Sequence, residues 1–370
     1  MSRTINLGVI GCGRISGAYL CMAKHFPGIQ ITACADVDIN TAVAKAAEYG
    51  IVKGCSVDEL LGDDSIDLVL NLTTPQAHFP VAMKTLQSGK HAYAEKPLGI
   101  SRAEGQQILT EAAKRGLKVG CAPDTFLGSG IQTARKLIDE GAIGRPVAFT
   151  AFMMCRGHES WHPGPEFYYE PGGGPMFDMG PYYLTALLNL LGPVKRLTGA
   201  ASIAIPVRTI TSEPKCGQTF AVHTPDHIVG TMEFENGCIG TIITTFATMH
   251  PVYDGNQPIV IYGESGTLRL PDPNLFDGPI HLRTASDSDW REIKPMFPTG
   301  YGRSIGAADM ANAIRSGRPF RANGEQAMAV LDLMQGFLDS AASGKAFEPT
   351  VRYERPALMR ADLPFGVLED

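Results

Sequence analysis

The sequence predicts an α/β protein in two parts, an N-terminal doubly wound parallel sheet and a C-terminal α+β domain on a largely antiparallel open sheet. In the first third of the chain, short apolar runs alternate with segments of helical periodicity, which is typical of parallel strands with crossover helices. Beyond residue 121 this alternation stops and paired strand-like runs replace it. The length of 370 residues also exceeds what one core usually holds. We therefore predict two domains, one over residues 1–122 and one over residues 123–370.

The composition narrows the choice of partners and compartment. The chain is 44% hydrophobic and 19% charged, with a formal net charge of −6 and no lysine- or arginine-rich run, which argues against nucleic acid or an anionic membrane as a partner. We find neither a basic leader nor a long apolar segment, so we expect no signal peptide and a cytoplasmic location. The eight cysteines lie largely in apolar runs without a Cys-x-x-Cys pair, which predicts reduced core thiols and no metal cluster.

A glycine-rich turn follows the first apolar run, residues 4–10, and precedes a helix predicted from Ala18 to Phe26. It matches a dinucleotide-binding fingerprint except that Ser16 stands where Gly or Ala is usual. Such a turn lets a pyrophosphate approach the backbone and rest on the helix N-terminus, and a small serine still permits close packing. We expect the dinucleotide contacts here to come from Gly11, Gly13, Arg14 and Ile15.

The second strand, Gln30 to Ala35, ends in Asp36 at the distance from the glycines where an acidic residue binds the adenosine ribose. A carboxylate there accepts hydrogen bonds from the ribose hydroxyls and repels a 2′-phosphate, which favours NAD over NADP. The alternative is that Asp36 only caps a helix, although Asp38 or Asn40 could equally start the helix Thr41 to Tyr49.

Three more strands and two helices complete the predicted sheet, in the order Ile66 to Leu72, Gln76 to Ser88, His91 to Ala94, Ser101 to Arg115 and Leu117 to Cys121. Parallel strands present their carboxyl ends at one edge, where ligands bind. The further cofactor contacts expected at this edge are Thr73, Thr74, Pro75, His78, Glu95 and Lys96. For His78, a structural hydrogen-bonding role is equally open.

The segment Glu95-Lys96-Pro97 ends its strand abruptly, since proline cannot continue a central strand. A lysine held beside a carboxylate can orient a substrate hydroxyl and stabilise the alkoxide that forms as hydride leaves. The alternative is an ordinary surface ion pair.

Gly11-x-Gly13, Thr74-Pro75-x-x-His78, Gly89-Lys90-His91 and Glu95-Lys96-Pro97 occur in the order and spacing of the Gfo/Idh/MocA oxidoreductases. The chain resembles this family over nearly its whole length. The resemblance implies a Rossmann domain that binds NAD(P), with Lys96 in the position of the active-site lysine. It also implies a homodimer or homotetramer formed through the C-terminal sheet. Many relatives carry an Asn-x-Arg-like element where this chain has Ala122-Pro123-Asp124.

The resemblance also bears on the stretch from Gly172 to Tyr182, which we predict to open one helix that continues to Leu191. Asp178 matches the family's aspartate, although a helix cap would also explain it. Relatives usually have histidine, the residue commonly assigned as acid/base, where this chain has Tyr182. Either Tyr182 replaces that histidine, with its phenolate stabilised by the ammonium of Lys96, or the site has lost its base. The expected catalytic residues are Lys96, Asp178 and Tyr182.

A polar and aromatic loop, Arg156 to Tyr169, follows the predicted strand Val147 to Cys155 and suits a polyhydroxylated ring. Its two histidines lack a third and fourth ligand, so we expect no metal. We expect a hairpin at Glu235-Asn236-Gly237 and loop over residues 272–298. The candidate substrate contacts are Lys96, His158, Trp161, His162, Tyr169, Asp178 and Tyr182.

Together these features predict an NAD-dependent oxidoreductase that oxidises or reduces a secondary alcohol of a sugar, glycoside or cyclitol. Two alternatives stay open. One is an enzyme that oxidises its glycoside transiently to promote elimination. The other is a sugar and NAD sensor without turnover.

Overall fold

The computed structural model describes residues 3–249 and 257–369. The chain forms two compact units, one of Met1–Ser129, Met296–Met328 and Pro356–Asp370, the other of Gly130–Pro295 and Ala329–Arg355. The first break lies near the predicted boundary, but two later segments belong to the first unit instead of the predicted second domain. One physical reason is Asp124, whose carboxylate accepts hydrogen bonds from the backbone N–H groups of Ser304 and Gly306.

The first unit contains a six-stranded sheet in which every paired strand is parallel. Its strands are β1 (Ile5–Ile10), β2 (Ile29–Ala35), β3 (Lys53–Cys55), β4 (Leu68–Asn71), β5 (His91–Ala94) and β6 (Val119–Cys121). The connecting helices are α1 (Ser16–Ala23), α2 (Ile39–Tyr49), α3 (Val57–Leu61), α4 (Pro75–Gln87) and α5 (Arg102–Arg115). The strand order β3-β2-β1-β4-β5-β6 confirms the predicted doubly wound sheet. The order reverses between β1 and β4, so the ligand crevice lies at their carboxyl ends.

Local sequence fixes where several helices begin and end. Ser101 caps α5 by accepting a hydrogen bond from the backbone N–H of Glu104, and Gly116 ends that helix with a φ of 67°. Ser56 and Glu59 form a capping box at α3. The short elements β3 and α3 were not among the predicted ones, because three and five residues are too few to display a period.

The second unit is built on an eight-stranded sheet in the order β16-β15-β14-β13-β7-β12-β11-β8. These strands are β7 (Pro146–Met154), β8 (Val194–Ser202), β11 (His227–Phe234), β12 (Ile239–Thr245), β13 (Ile259–Gly263), β14 (Gly266–Leu270), β15 (Ile280–Thr284) and β16 (Arg291–Ile293). Only β7 and β12 pair in parallel, which confirms the predicted largely antiparallel sheet. A separate ribbon pairs β9 (Val207–Thr209) with β10 (Thr219–Ala221). The predicted loop over residues 272–298 is wrong in part, because it contains β15 and β16.

The later helices of the chain are α6 (Ser129–Asp139), α7 (Gly174–Asp178) and α8 (Gly180–Leu191), followed by α9 (Ile305–Ser316), which belongs to the first unit, and α10 (Gly324–Ser343). The single helix predicted to run on to Leu191 is therefore two helices, separated at Met179. Pro181 explains the break, since proline has no N–H to continue the hydrogen bonding of α7 and is well suited to the first turn of α8. Asp178 ends one helix and Tyr182 lies in the first turn of the next, so the two residues do not share one regular helical face. Within the described residues, no helix has the length and apolar character needed to cross a membrane.

Candidate functional site

The glycine-rich loop after β1 is held close to the end of β4. Gly11 has a φ of +99°, and a Cβ atom there would lie 2.7 Å from the carbonyl carbon of Leu72, so only glycine fits. A Cβ at Gly13 would instead meet open space, as a loop that receives a ligand requires. Ser16 is buried, and its hydroxyl donates to the carbonyl oxygen of Gly13 at 2.7 Å. The helix α1 then begins after Ile15, whose side chain cannot cap it. The loop therefore fits a pyrophosphate, which the N–H groups at the start of α1 would receive.

Asp36 lies at the end of β2 and is hydrogen-bonded to this loop. Its Oδ2 accepts from the backbone N–H of Cys12 at 2.8 Å, and its Oδ1 accepts from the N–H of Asp38 at 3.1 Å. The helix cap that was the alternative role for Asp36 belongs to Asp38, whose side chain accepts from the N–H of Asn40. Asp36 is therefore fixed beside the glycine-rich loop, where a ribose contact is feasible.

The connection from β4 to α4 contains Thr73 and Thr74. Thr74 is the N-cap residue, and Pro75 is the first residue of α4. The His78 ring is fully buried, with Nδ1 2.6 Å from the carbonyl oxygen of Pro97 and Nε2 3.1 Å from that of Thr73. Burial lowers the pKa of His78 despite these two carbonyl partners, so the ring is neutral at physiological pH. A neutral ring donates through only one nitrogen, so only one of the two carbonyl contacts, to the loop after β4 or to the loop after β5, is a hydrogen bond. These contacts favour the structural role left open for His78, and its direct contact with the cofactor stays a prediction.

Glu95 is not the exposed partner of a surface ion pair, as one alternative held. It is buried, with Oε1 accepting from the hydroxyl of Tyr19 at 2.8 Å and Oε2 from the backbone N–H of Lys96 at 3.0 Å. Burial alone would raise the pKa of Glu95, but Arg303, Lys96 and these hydrogen bonds outweigh it and lower the pKa. Glu95 is therefore an anion that fixes the backbone at Lys96.

Arg303 and Asp124 extend this group of buried charges, and sequence reasoning assigned neither a role. Oδ1 of Asp124 lies 3.7 Å from Nη1 of Arg303, and Oδ2 accepts from the N–H groups of Ser304 and Gly306, each at 3.1 Å. Burial raises the pKa of Asp124 to about 6, against the attraction of Arg303. In the described residues, Ser304 is the one non-glycine residue with positive φ. The sequence contained one sign of this cluster. Asp124 lies in the segment Ala122-Pro123-Asp124, where many relatives carry an Asn-x-Arg-like element.

In the second unit, Asp178 contacts a histidine from a distant loop. Nε2 of His158 lies 3.0 Å from Oδ2 of Asp178, and the two side chains are only 10% and 14% exposed. Tyr182 is buried in the first turn of α8. The predicted candidates His158 and Asp178 are thus brought together directly, a pairing that the sequence did not indicate.

The aromatic loop divides into an exposed and a buried part. Trp161 is 48% exposed, and its ring lies edge-on to the rings of His158 and His162 at centroid distances of 5.1 and 5.4 Å. Tyr169 was predicted to contact substrate but is fully buried, with its hydroxyl donating to Oε1 of Glu159 at 2.8 Å. Burial raises the pKa of Tyr169, so it stays protonated. Its neighbour Tyr168 is partly exposed and packs on His158 at 4.0 Å. The burial of Tyr169 does not favour its predicted substrate contact, whereas the neighbouring Tyr168 is accessible.

A buried arginine anchors this loop. Nη1 of Arg208 donates to the carbonyl oxygens of Arg156 and Phe246 and to Oε1 of Glu159, and Nη2 donates to Oδ2 of Asp226 at 2.6 Å. Across residues 3–249 and 257–369, no group of three or more His, Cys, Asp or Glu side chains is arranged to hold a metal ion.

Comparison with known proteins identifies the class to which this fold and site belong. Residues 5–122 match the family model described as an oxidoreductase family with an NAD-binding Rossmann fold, and residues 131–269 match the GFO/IDH/MocA C-terminal domain. The chain belongs to the Gfo/Idh/MocA family, as the motifs predicted. It is accordingly an oxidoreductase with an NAD-binding Rossmann domain.

Two distant relatives match along nearly the whole chain. The 1,5-anhydro-D-fructose reductase of Ensifer adhaerens is 24% identical over 92% of this chain and 97% of its own length. The inositol 2-dehydrogenase of Burkholderia cenocepacia is also 24% identical, over 96% and 99%. Among solved structures, levoglucosan dehydrogenase with NADH aligns at a TM-score of 0.81 and 20% identity, over 94% of this chain and 100% of that one. These structural matches show that the fold is shared.

Proposed function

We propose that the protein is an NAD-dependent dehydrogenase acting on a secondary alcohol of a sugar, glycoside or cyclitol. The observation that carries this proposal is Lys96 at the end of β5, with its backbone fixed by buried Glu95. Family membership supports its assignment as the active-site lysine. The names of the relatives, which include an inositol dehydrogenase and an anhydrofructose reductase, support the substrate class.

In the proposed oxidation, the alcohol carbon gives up a hydride and its hydroxyl gives up a proton, which leaves a carbonyl group. NAD accepts the hydride when bound. Lys96 orients the hydroxyl and stabilises its developing negative charge. Tyr182 takes the proton, and Asp178 polarises the neighbouring groups. The exposed Trp161, with His162 and Tyr168 beside it, offers an aromatic surface for the ring of the substrate.

The preference for NAD over NADP is proposed from Asp36. Its carboxylate is fixed beside the glycine-rich loop by the N–H of Cys12, where a 2′-phosphate would meet a negative charge. We also propose that the second sheet forms a subunit contact. Ile239 and Tyr262 both pair with Ala148 in neighbouring strands and are 54% and 40% exposed. Sedimentation analysis of the full chain would measure the oligomeric state.

The test is NADH absorbance on mixing the protein and NAD with inositols, levoglucosan, free sugars and glycosides, repeated with NADP. We expect a signal with one substrate class and NAD, abolished by Lys96→Met. Tyr182→Phe should lower kcat about a hundredfold or more with NAD affinity nearly unchanged.

Three results would overturn parts of the proposal. Leaving-group release without net NADH would favour oxidation with elimination, whereas tight NAD binding without any turnover would favour a sensor. Full activity of the Tyr182 variant would remove that residue from proton transfer.

A further inference from the structure

Within the described residues, the side chain of His158 makes one hydrogen bond, which Asp178 accepts. Because a carboxylate can only accept, Nε2 must carry a proton in the 3.0 Å contact with Oδ2 of Asp178. The other ring nitrogen, Nδ1, is buried and has no hydrogen-bond partner within the described residues. Asp178 is thus the polar group that orients the ring.

Three aromatic rings hold the imidazole in this orientation. Its centroid lies 4.0 Å from that of Tyr168, 4.6 Å from Phe246 and 5.1 Å from Trp161. These neighbours leave little room for the ring to rotate, since packed side chains resist leaving their rotamers. The N–H group aimed at Asp178 is therefore preorganised.

The backbone that carries the ring is fixed as well. The N–H of His158 donates to the hydroxyl of Tyr169 at 3.3 Å, and that hydroxyl in turn donates to Glu159, which Arg208 also contacts. The preceding residue, Gly157, has a φ of +105°, and a Cβ atom there would lie 2.2 Å from the Tyr169 hydroxyl oxygen. Only glycine allows this close approach.

A buried histidine with one unpartnered nitrogen is energetically unfavourable if the ring only fills the core. Burying Nδ1 without a hydrogen-bond partner is unfavourable, and an apolar ring would pack in the same space without that penalty. An unsatisfied buried atom in a native protein calls for an explanation. The explanation here is the neighbouring carboxylate, which His158 holds in one orientation. A donor aimed at a carboxylate also favours its ionised form.

We infer that His158 is a positioning residue for Asp178, holding that carboxylate in place through Nε2–H. The inference rests on the proposed function, in which Asp178 polarises the reacting groups. It assigns the aromatic loop a role in the chemical step as well as in binding the substrate ring.

The test compares three variants of the full-length protein. His158→Phe keeps an aromatic ring among its three neighbours but removes the donor. His158→Gln keeps an N–H that can reach Asp178 but cannot titrate near neutral pH. His223→Phe is the control, because His223 also lies 3.0 Å from a carboxylate, that of Glu170, but the two side chains are 56% and 45% exposed.

We expect His158→Phe to lower kcat by about tenfold to a hundredfold, with little change in KM for NAD. The acid limb of its kcat profile should move to higher pH, because Asp178 loses a donor to its ionised form. His158→Gln should restore most of kcat and return the limb toward its original position, and His223→Phe should leave both unchanged. A His158→Phe variant with the same kcat and pH profile as the wild type would overturn the inference. So would a His158→Gln variant that folds normally but is as impaired as His158→Phe.

A second measurement does not depend on turnover. In ¹⁵N-histidine spectra, the signal that disappears in His158→Gln should have the Nε2–H tautomer, and Asp178→Asn should shift it. An Nδ1–H tautomer would contradict the inference even in a protein with no detectable substrate. Full activity of Asp178→Asn together with an Nε2–H tautomer would remove Asp178 from the proposed reaction while leaving the contact itself intact.

Discussion

One cluster in each unit of the molecule places an arginine near two carboxylates, yet the two clusters differ in how the charges meet. In the Arg208 cluster (Arg208, Glu159 and Asp226), the guanidinium donates to both carboxylates at 2.8 and 2.6 Å. In the Arg303 cluster (Arg303, Asp124 and Glu95), Asp124 lies 3.7 Å from the guanidinium, beyond hydrogen-bond distance.

This geometric difference changes the electrostatics. Burial lowers the pKa of Arg208, but the hydrogen bonds and charges of Asp226, Tyr169 and Glu159 outweigh it and raise the pKa, so Arg208 stays protonated. In the Arg303 cluster burial prevails at Asp124 and raises its pKa to about 6. Residue types and burial alone therefore do not distinguish an arginine that stays charged beside its carboxylates from a carboxylate that titrates near neutral pH. The distance between the opposite charges distinguishes the two cases.

The largest expected effect is at Arg208. Arg208→Met should lower the free energy of unfolding by about 3–5 kcal/mol, because it leaves two buried carboxylates without their partner. The control is Arg196→Met, which breaks a contact of the same 2.6 Å length with Glu233 but from a side chain that is 57% exposed. That loss should stay under about 1 kcal/mol. Urea denaturation of both variants measures the difference, and equal losses would show that burial does not decide the strength of the cluster.

How far the sequence predicted these sites depends on whether a recurring pattern records them. The glycine-rich loop and Asp36 were predicted, because the small residues of the turn and an acidic residue at the end of the next strand form a known pattern with a fixed spacing. The contact between His158 and Asp178 was not, because it joins a loop to a helix end 20 residues further along the chain, and no periodicity records it. Arg208 lies still further along the chain from the loop that it anchors, on the three-residue strand β9.

Orientation was the second obstacle to prediction. Tyr168 and Tyr169 are neighbours in the 3-10 helix Pro165–Tyr169, and the sequence contains no signal for which ring faces the interior. The fold class was predicted almost completely, since alternation of strands and helices and paired runs extend over tens of residues. The break at Met179 was missed, although Pro181 was a visible reason for it.

A smaller effect, dependent on pH, is expected at Asp124. Its pKa of about 6 in the folded protein exceeds the usual unfolded value near 3.9, so Asp124 binds its proton more tightly when folded. Its contribution to stability is complete below about pH 4 and is lost as the pH rises through about 6, by roughly 3 kcal/mol. Asp124→Asn removes this titration. The melting temperature of the variant relative to the wild type should therefore rise between pH 4 and pH 8, and a constant difference would show that Asp124 does not titrate in this range.

The smallest expected effect concerns Glu95, the other carboxylate of the Arg303 cluster, and the groups that hold it. Tyr19 and Tyr93 are both fully buried, but the Tyr19 hydroxyl donates to Glu95 at 2.8 Å, whereas the Tyr93 hydroxyl has no hydrogen-bond partner in the part of the chain described. Tyr19→Phe should cost about 2 kcal/mol, the typical value for a hydrogen bond to a charged group. Tyr93→Phe should be neutral or slightly stabilising, because it removes an unsatisfied hydroxyl. Urea denaturation at pH 8, where Glu95 is ionised, measures both. Equal losses would mean that Tyr19 does not help to hold Glu95, which would then depend on the charges of Arg303 and Lys96 and on the backbone N–H of Lys96.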